Sequence, residues 1–219
     1  MPIYRLPANP VQFPPPSKYS KNGCVAVGGG LSPEWLLTAY HQGLFPWFNE
    51  GEPIQWWSPD PRMVLFPEEL KISNSLKSIL KKEIFNYTLN TAFLEVIENC
   101  AHTKRSGQEG TWITPEMINA YHVLHQLGYA YSFEAWQGEE LCGGLYGIYL
   151  PPIFCGESMF AKVSNASKAA FTFSVQWLAH QQIKIIDCQI YTDHLASLGA
   201  REITRNDFLK YCAEIKSNT

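Results

Sequence analysis

The chain has 219 residues, of which 46% are hydrophobic and 17% charged, and its formal net charge is −3. Such proportions describe a soluble globule with ample material for a core and disfavour a general nucleic-acid binder, which is usually basic. Six cysteines, at 24, 100, 142, 155, 188 and 212, form no C-x-x-C pair and no zinc-like spacing with histidine, and no apolar run reaches membrane-spanning length. Buried reduced thiols, no metal, no cofactor, no membrane and a cytoplasmic setting are therefore expected. The opening residues also lack the charged-then-apolar order of a signal peptide.

Prolines at 2, 7, 10, 14, 15 and 16 keep the N-terminal arm extended. After the glycines at 28–30, Ser32 and Pro33 supply a cap and a first helical position for a helix that stops at Gly43. The stretch from Phe45 to Pro67 is rich in Trp and Pro and reads as irregular strand and turn. A small N-terminal domain over 1–62 follows, with a larger domain over 63–219. Helices are expected over 73–82, 91–101 and 114–127, the last between a Thr114 cap and Gly128. Residues 129–136 alternate like a strand, a Q-G-E-E turn leads to a second strand over 141–150, and Ile153–Cys155 forms a third. A helix over 165–179, a strand over 183–190 and a closing helix over 206–215 complete the chain. The fold class is α+β, with a central mixed, largely antiparallel sheet flanked by helices in an acetyltransferase-like (GNAT-like) order.

Three polar residues, Glu157, Asp187 and Gln189, interrupt apolar stretches. Burying a carboxylate without a partner is costly. On a regular strand Asp187 and Gln189 share one face and Cys188 points to the other. Alone, such a pair reads first as a satisfied core network, because structural networks also hold buried acids. Other motifs fall away. The glycines at 28–30 lack the Lys and Ser/Thr of a phosphate loop, the segment GESMF (156–160) lacks the last glycine of a nucleophile elbow, and His122 and His125 have no companion ligands. The lysines Lys71, Lys77, Lys81 and Lys82 lie on a stretch without one acid, close to Arg62 in a chain of net negative charge. A solvated face or a seat for a phosphate backbone fits them.

Nine blocks carry a family resemblance: GLFPWF (43–48), WWSPDPR (56–62), GTWIT (110–114), AYHVLH (120–125), GGLYG (143–147), FCGESMF (154–160), NASK (165–168), DCQ (187–189) and HLASLGA (194–200). In this order the chain resembles the bacterial leucyl/phenylalanyl-tRNA–protein transferases. The resemblance implies movement of Leu or Phe, and Met as well, from aminoacyl-tRNA to proteins with N-terminal Arg or Lys, which creates a degradation signal. It implies that Gln189 holds the attacking amine, that Asp187 orients Gln189 or helps shed the proton, and that Glu157 positions the aminoacyl-adenosine. It further implies an adenosine platform at Trp47 and Trp112, and a donor pocket from Leu145, Phe154, Met159, Phe171 and Ile186. Arg62, Lys71, Lys77, Lys81 and Lys82 become the tRNA contacts, and Ser174 falls where a larger residue could line the pocket.

Two other readings stay open. A coenzyme A-dependent N-acyltransferase would share the scaffold, but the loop before Asn165 reads KVSNASK (162–168) without a glycine to cradle a pyrophosphate. A non-catalytic binder of N-termini or tRNA would use the polar trio for recognition only.

Overall fold

A computed structural model describes residues 3–103 and 111–216 of the protein; Pro2 of the arm and Gly110 of the GTWIT block lie outside the described residues. The elements run β1 (Tyr4–Leu6), β2 (Cys24–Gly28), α1 (Pro33–His41), β3 (Phe45–Pro46), β4 (Gln55–Trp57) and β5 (Arg62–Leu65). Then come α2 (Asn74–Lys81), β6 (Asn86–Leu89), α3 (Phe93–His102), α4 (Pro115–Gln126), β7 (Ala130–Gln137) and β8 (Glu140–Leu150). The last six are β9 (Ile153–Ala161), α5 (Ala166–His180), β10 (Ile185–Gln189), α6 (Asp193–Ser197), β11 (Arg201–Ile203) and α7 (Arg205–Cys212).

Helix ends follow local chemistry. The side chains of Ser32, Ser73 and Thr114 accept from the backbone N–H three residues on, and so satisfy orphan donors of α1, α2 and α4. Gly28 ends β2, Gly28 and Gly29 both have positive φ, and the backbone at Gly29 closes over the Trp35 ring: a Cβ on Gly29 would lie 3.0 Å from it. His125 stacks on Phe93 at 4.3 Å and contacts the Ala130 carbonyl through Nδ1, a structural role.

The architecture is α+β with two sheets. The smaller has strand order β1-β2-β4-β3 and the larger β11-β5-β10-β9-β8-β7-β6. Every neighbouring pair in the larger sheet is antiparallel except β9 with β10, which run parallel. Alternate residues of this sheet feed two cores, as a period of two requires. Val64, Cys155 and Ile185 face a core shared with α1, α3 and α4, whereas Leu65, Phe154 and Ile186 face one shared with α5. The first core is continuous with that of the N-terminal sheet, since Trp35, Trp56 and Tyr40 belong to it together with Val96 and Tyr121. Strands β1, β2, β6 and β11 were not expected from sequence; three of them are five residues or fewer at sheet edges. The third strand runs on to Ala161, so Glu157 lies within it rather than beyond it.

Two strands bulge at corresponding places. Along β8 and β9, Tyr146 pairs with Ser158 and Gly147 with Gly156, which leaves Glu157 as the extra residue. Along β10 and β5, Asp187 pairs with Val64 and Gln189 with Met63, which leaves out Cys188. Bulges bend a strand and re-aim side chains. Gly147 permits the first: a Cβ there would run into the Cys155 carbonyl oxygen and reach within 2.6 Å of the Phe154 ring. Gly147→Ala is therefore expected to destabilise the protein by ~1–3 kcal/mol, the usual cost of overpacking, in chemical denaturation.

Candidate active site

The two bulged strands open onto a cavity of about 450 Å³ whose lining is mainly apolar. Registered pairing of β9 with β10 ends at Cys155–Asp187, and Glu157 and Gln189 extend just past that point. Gln189 has φ 64°, a left-handed conformation costly for a non-glycine residue, and so the strand period breaks there. The same-face expectation for Asp187 and Gln189 therefore fails as an alternation argument. The bulge, not the pleat, aims Gln189, and Cys188 also reaches the cavity lining.

Asp187 is completely buried. Its Oδ1 accepts from Arg62 Nε at 2.7 Å and its Oδ2 from Arg62 Nη2 at 2.6 Å, a bidentate fork. Arg62 Nη1 donates to the Gly43 carbonyl at 3.3 Å, and the guanidinium lies 4.8 Å from the Phe45 ring centre and 4.5 Å from that of Phe208. Arg62 is only 1% exposed, so it is no surface contact for a phosphate backbone; its charge is spent inside on Asp187. Sequence proximity to the lysines suggested otherwise, but β5 carries Arg62 inside, against Asp187 of the neighbouring strand β10. Asp187 Oδ1 also accepts from the backbone N–H of Gln189 at 2.9 Å, which fixes the left-handed turn.

Glu157 is buried and accepts from three donors: Tyr40 at 2.8 Å, Tyr121 at 3.0 Å and Gln189 Nε2 at 3.0 Å. Tyr40 comes from α1 and Tyr121 from α4, so three distant segments converge on one carboxyl group. Their two hydroxyls also bond each other. Burial raises the Glu157 pKa to about 7 and the Asp187 charge adds to this, against the opposing effect of the tyrosine hydrogen bonds and Arg62. Burial, joined by the Glu157 charge, pushes both tyrosines well above the ordinary phenol range, so they remain donors. Sequence reasoning missed both tyrosines. Their only signal was a hydroxyl-bearing residue on an otherwise apolar helix face.

All seven residues expected to bind substrate line this cavity: Trp47, Trp112, Leu145, Phe154, Met159, Phe171 and Ile186. Trp47 is 36% exposed at the rim and meets Trp57 edge to face at 5.6 Å, while Trp112 is buried. Trp56 and Trp57 serve the framework, donating from their indole nitrogens to the Gly28 and Trp47 carbonyls. Ser174 also lines the cavity, and its hydroxyl is occupied by the Phe171 carbonyl at 2.8 Å. The apolar pocket thus keeps no spare hydroxyl at that place. Lys71, Lys77, Lys81 and Lys82 are exposed around α2, away from the cavity lining. The Lys71 backbone N–H bonds the Leu198 carbonyl, just past the α6 residues His194 and Leu195 that close the cavity.

Among the described residues no group of His, Cys, Asp and Glu is placed to hold a metal ion, and no helix is long and apolar enough to cross a membrane. All six thiols are free, and five of them are buried.

Comparison with known proteins bears on this geometry. Residues 64–213 match the family model for leucyl/phenylalanyl-tRNA protein transferase, and residues 29–60 match that of its N-terminal domain. The leucyl/phenylalanyl-tRNA–protein transferase of Flavobacterium johnsoniae is 58% identical over 197 residues, covering 90% of this chain and 93% of that protein. Its counterpart from an Anaeromyxobacter strain is 56% identical over 209 residues, covering 95% of this chain and 88% of that one. A solved structure, that of L-PGS from Bacillus licheniformis, aligns over 62% of this chain and 49% of its own at 13% identity and a TM-score of 0.43, which is too low to carry an argument. The chain belongs to the leucyl/phenylalanyl-tRNA–protein transferase family and is an enzyme of that class.

Proposed function

We propose that this enzyme moves Leu or Phe, and Met as well, from the 3′-adenosine of charged tRNA to proteins whose N-terminus is Arg or Lys. The product carries a new peptide bond and an N-terminal degradation signal, and the use of charged tRNA places the work in the cytoplasm. The observation that carries this reading is one cavity in which an apolar pocket, an exposed Trp and a buried carboxyl–amide pair meet. An acetyltransferase-like scaffold accords with the parallel β9–β10 pair, whose registered pairing stops at the site.

Aminolysis of the ester is downhill and uses neither ATP nor coenzyme A. The α-amine of the acceptor, with an ordinary pKa of about 7.7–8.0, attacks the ester carbonyl in its neutral form. The new C–N bond forms as the bond from the carbonyl carbon to the ribose oxygen breaks, and the amine proton ends on that ribose oxygen. Catalysis then rests on orientation and on handling this proton. Gln189 gives its Nε2 to Glu157, and its amide oxygen is left to accept from the attacking amine. Asp187 has both oxygens engaged by Arg62, so it orients Gln189 through the backbone rather than taking the proton. Glu157, with a pKa of about 7, is suited to exchange the proton near neutrality.

The donor side chain rests among Leu145, Phe154, Met159, Phe171 and Ile186. An apolar pocket separates neighbouring hydrocarbons by only ~1–3 kcal/mol, which suits tolerance of Leu, Phe and Met. Trp47 and Trp112 stack the adenine, a contact worth ~1–3 kcal/mol per base. The acid-free face with Lys71, Lys77, Lys81 and Lys82 meets the acceptor stem by charge. Incubation with leucyl-tRNA and peptides beginning with Arg or Glu, read by mass, tests the whole: the Arg peptide should gain one leucine. Equal use of the Glu peptide would overturn the acceptor assignment.

The raised pKa of Glu157 gives a pH signature. The unfolded carboxyl titrates near its ordinary value of 4.5 and the folded one at about 7, so between these the folded state binds more protons. Stability therefore falls as pH rises through that window. Glu157→Gln should abolish this slope in thermal melts and remove the limb near pH 7 from log kcat/KM, leaving that of the acceptor amine.

A further inference from the structure

His194 is a polar residue of the cavity that the reaction above does not use. Its ring lines the cavity from α6, and its Nε2 is buried without a hydrogen-bond partner among the described residues. An unsatisfied buried nitrogen is costly, so a site that keeps one has something to gain when a ligand arrives. The helix that carries the ring is fixed locally: Thr192 caps α6 by accepting from the Leu195 N–H, and the His194 carbonyl accepts from the Ser197 hydroxyl. Burial lowers the imidazole pKa, and the charge of nearby Lys168 lowers it further, so the ring is neutral at pH 7. Lys168 belongs to the first turn of α5, which carries no acidic residue. Asp193, the acid next to His194 in sequence, is taken up by the Tyr191 hydroxyl at 2.9 Å.

With its proton on Nε2 the neutral ring is a donor, and the Lys168 charge beside it disfavours a cationic ligand group such as the α-ammonium of the aminoacyl ester. The pair suits an anion. On the 3′ end of a charged tRNA the anion nearest the ester is the phosphodiester joining the last adenosine to the nucleotide before it. Resting on the transferase reading above, we propose that His194 donates from Nε2 to this phosphodiester while Lys168 supplies the neighbouring positive charge. Both residues then sense whether the adenosine is attached to a polynucleotide, and so make the enzyme prefer charged tRNA to a free aminoacyl-adenosine.

Two donors separate the possibilities: 3′-leucyl-adenosine and the leucylated dinucleotide CpA, which differ by one nucleotide and the phosphodiester. The unmodified enzyme should show a lower KM for the dinucleotide. His194→Ala and Lys168→Met should each raise that KM about tenfold, leave kcat alone, and change the KM for leucyl-adenosine less than twofold. His194→Gln, which keeps a side-chain N–H donor, should recover part of the loss, and melting temperatures identify any variant that fails to fold. Equal effects on both donors, or none on the dinucleotide, would overturn the assignment while leaving the transferase reading intact. Failure of the unmodified enzyme to use either donor would instead sink that reading and this assignment with it.

Discussion

The buried ion pair between Arg62 and Asp187 holds this structure and its chemistry together. Two opposite charges taken out of water are stabilising only when geometry is good and every remaining polar atom finds a partner. Here the fork is bidentate, the third guanidinium nitrogen reaches the Gly43 carbonyl, and the flat cation lies against Phe45 and Phe208. The pair ties four segments together: the chain after α1, strand β5, strand β10 and helix α7. Loss of one partner would leave an uncompensated buried charge, at a cost of ~3–5 kcal/mol. The same carboxylate accepts from the Gln189 N–H, so the interaction that secures the sheet also sets the left-handed residue at the site.

Local irregularity then does what regular strands cannot. Without bulges, residues 157 and 189 would follow the pleat set by Cys155 and Asp187. With Glu157 as an extra residue and Cys188 skipped, the two side chains meet at 3.0 Å, and Glu157 turns also to Tyr40 and Tyr121. Contrast Glu134, also buried, on β7. It accepts from Thr88, Thr91, Ser132 and the Ala92 N–H, and it lies outside the cavity lining. One buried glutamate is framework, and the other lines the cavity with a pKa of about 7.

Much of this was legible in the chain. Helices announced by Ser32-Pro33, Ser73 and Thr114-Pro115 form within a residue or two of expectation, because caps and prolines act locally. The long hairpin of β7 and β8 follows from alternation around its turn. Short edge strands such as β6 and β11 were invisible, since four or fewer residues show no period. The polar trio stood out because acids and amides are rare in apolar runs. Their mutual geometry did not, because bulges depend on glycines and pairing partners far away in sequence. Arg62 was misplaced for the same reason: nothing local distinguishes an arginine that enters a sheet from one that meets solvent. Tyr40 and Tyr121 were hidden because a tyrosine on a buried helix face looks like any other aromatic until its hydroxyl finds a carboxylate.

The central claim is that Gln189, locked by Asp187 and Glu157, orients the attacking amine rather than holding tRNA. Gln189→Asn tests it most directly, because Asn tolerates a left-handed backbone and keeps the amide but draws it back by one methylene. Single-turnover transfer of leucine to an Arg peptide, with charged-tRNA affinity measured in parallel, provides the comparison. The account predicts a rate lower by about 100-fold, within the span usual for lost orientation, and an affinity changed less than twofold. An affinity that falls as far as the rate would contradict it and make Gln189 a recognition residue.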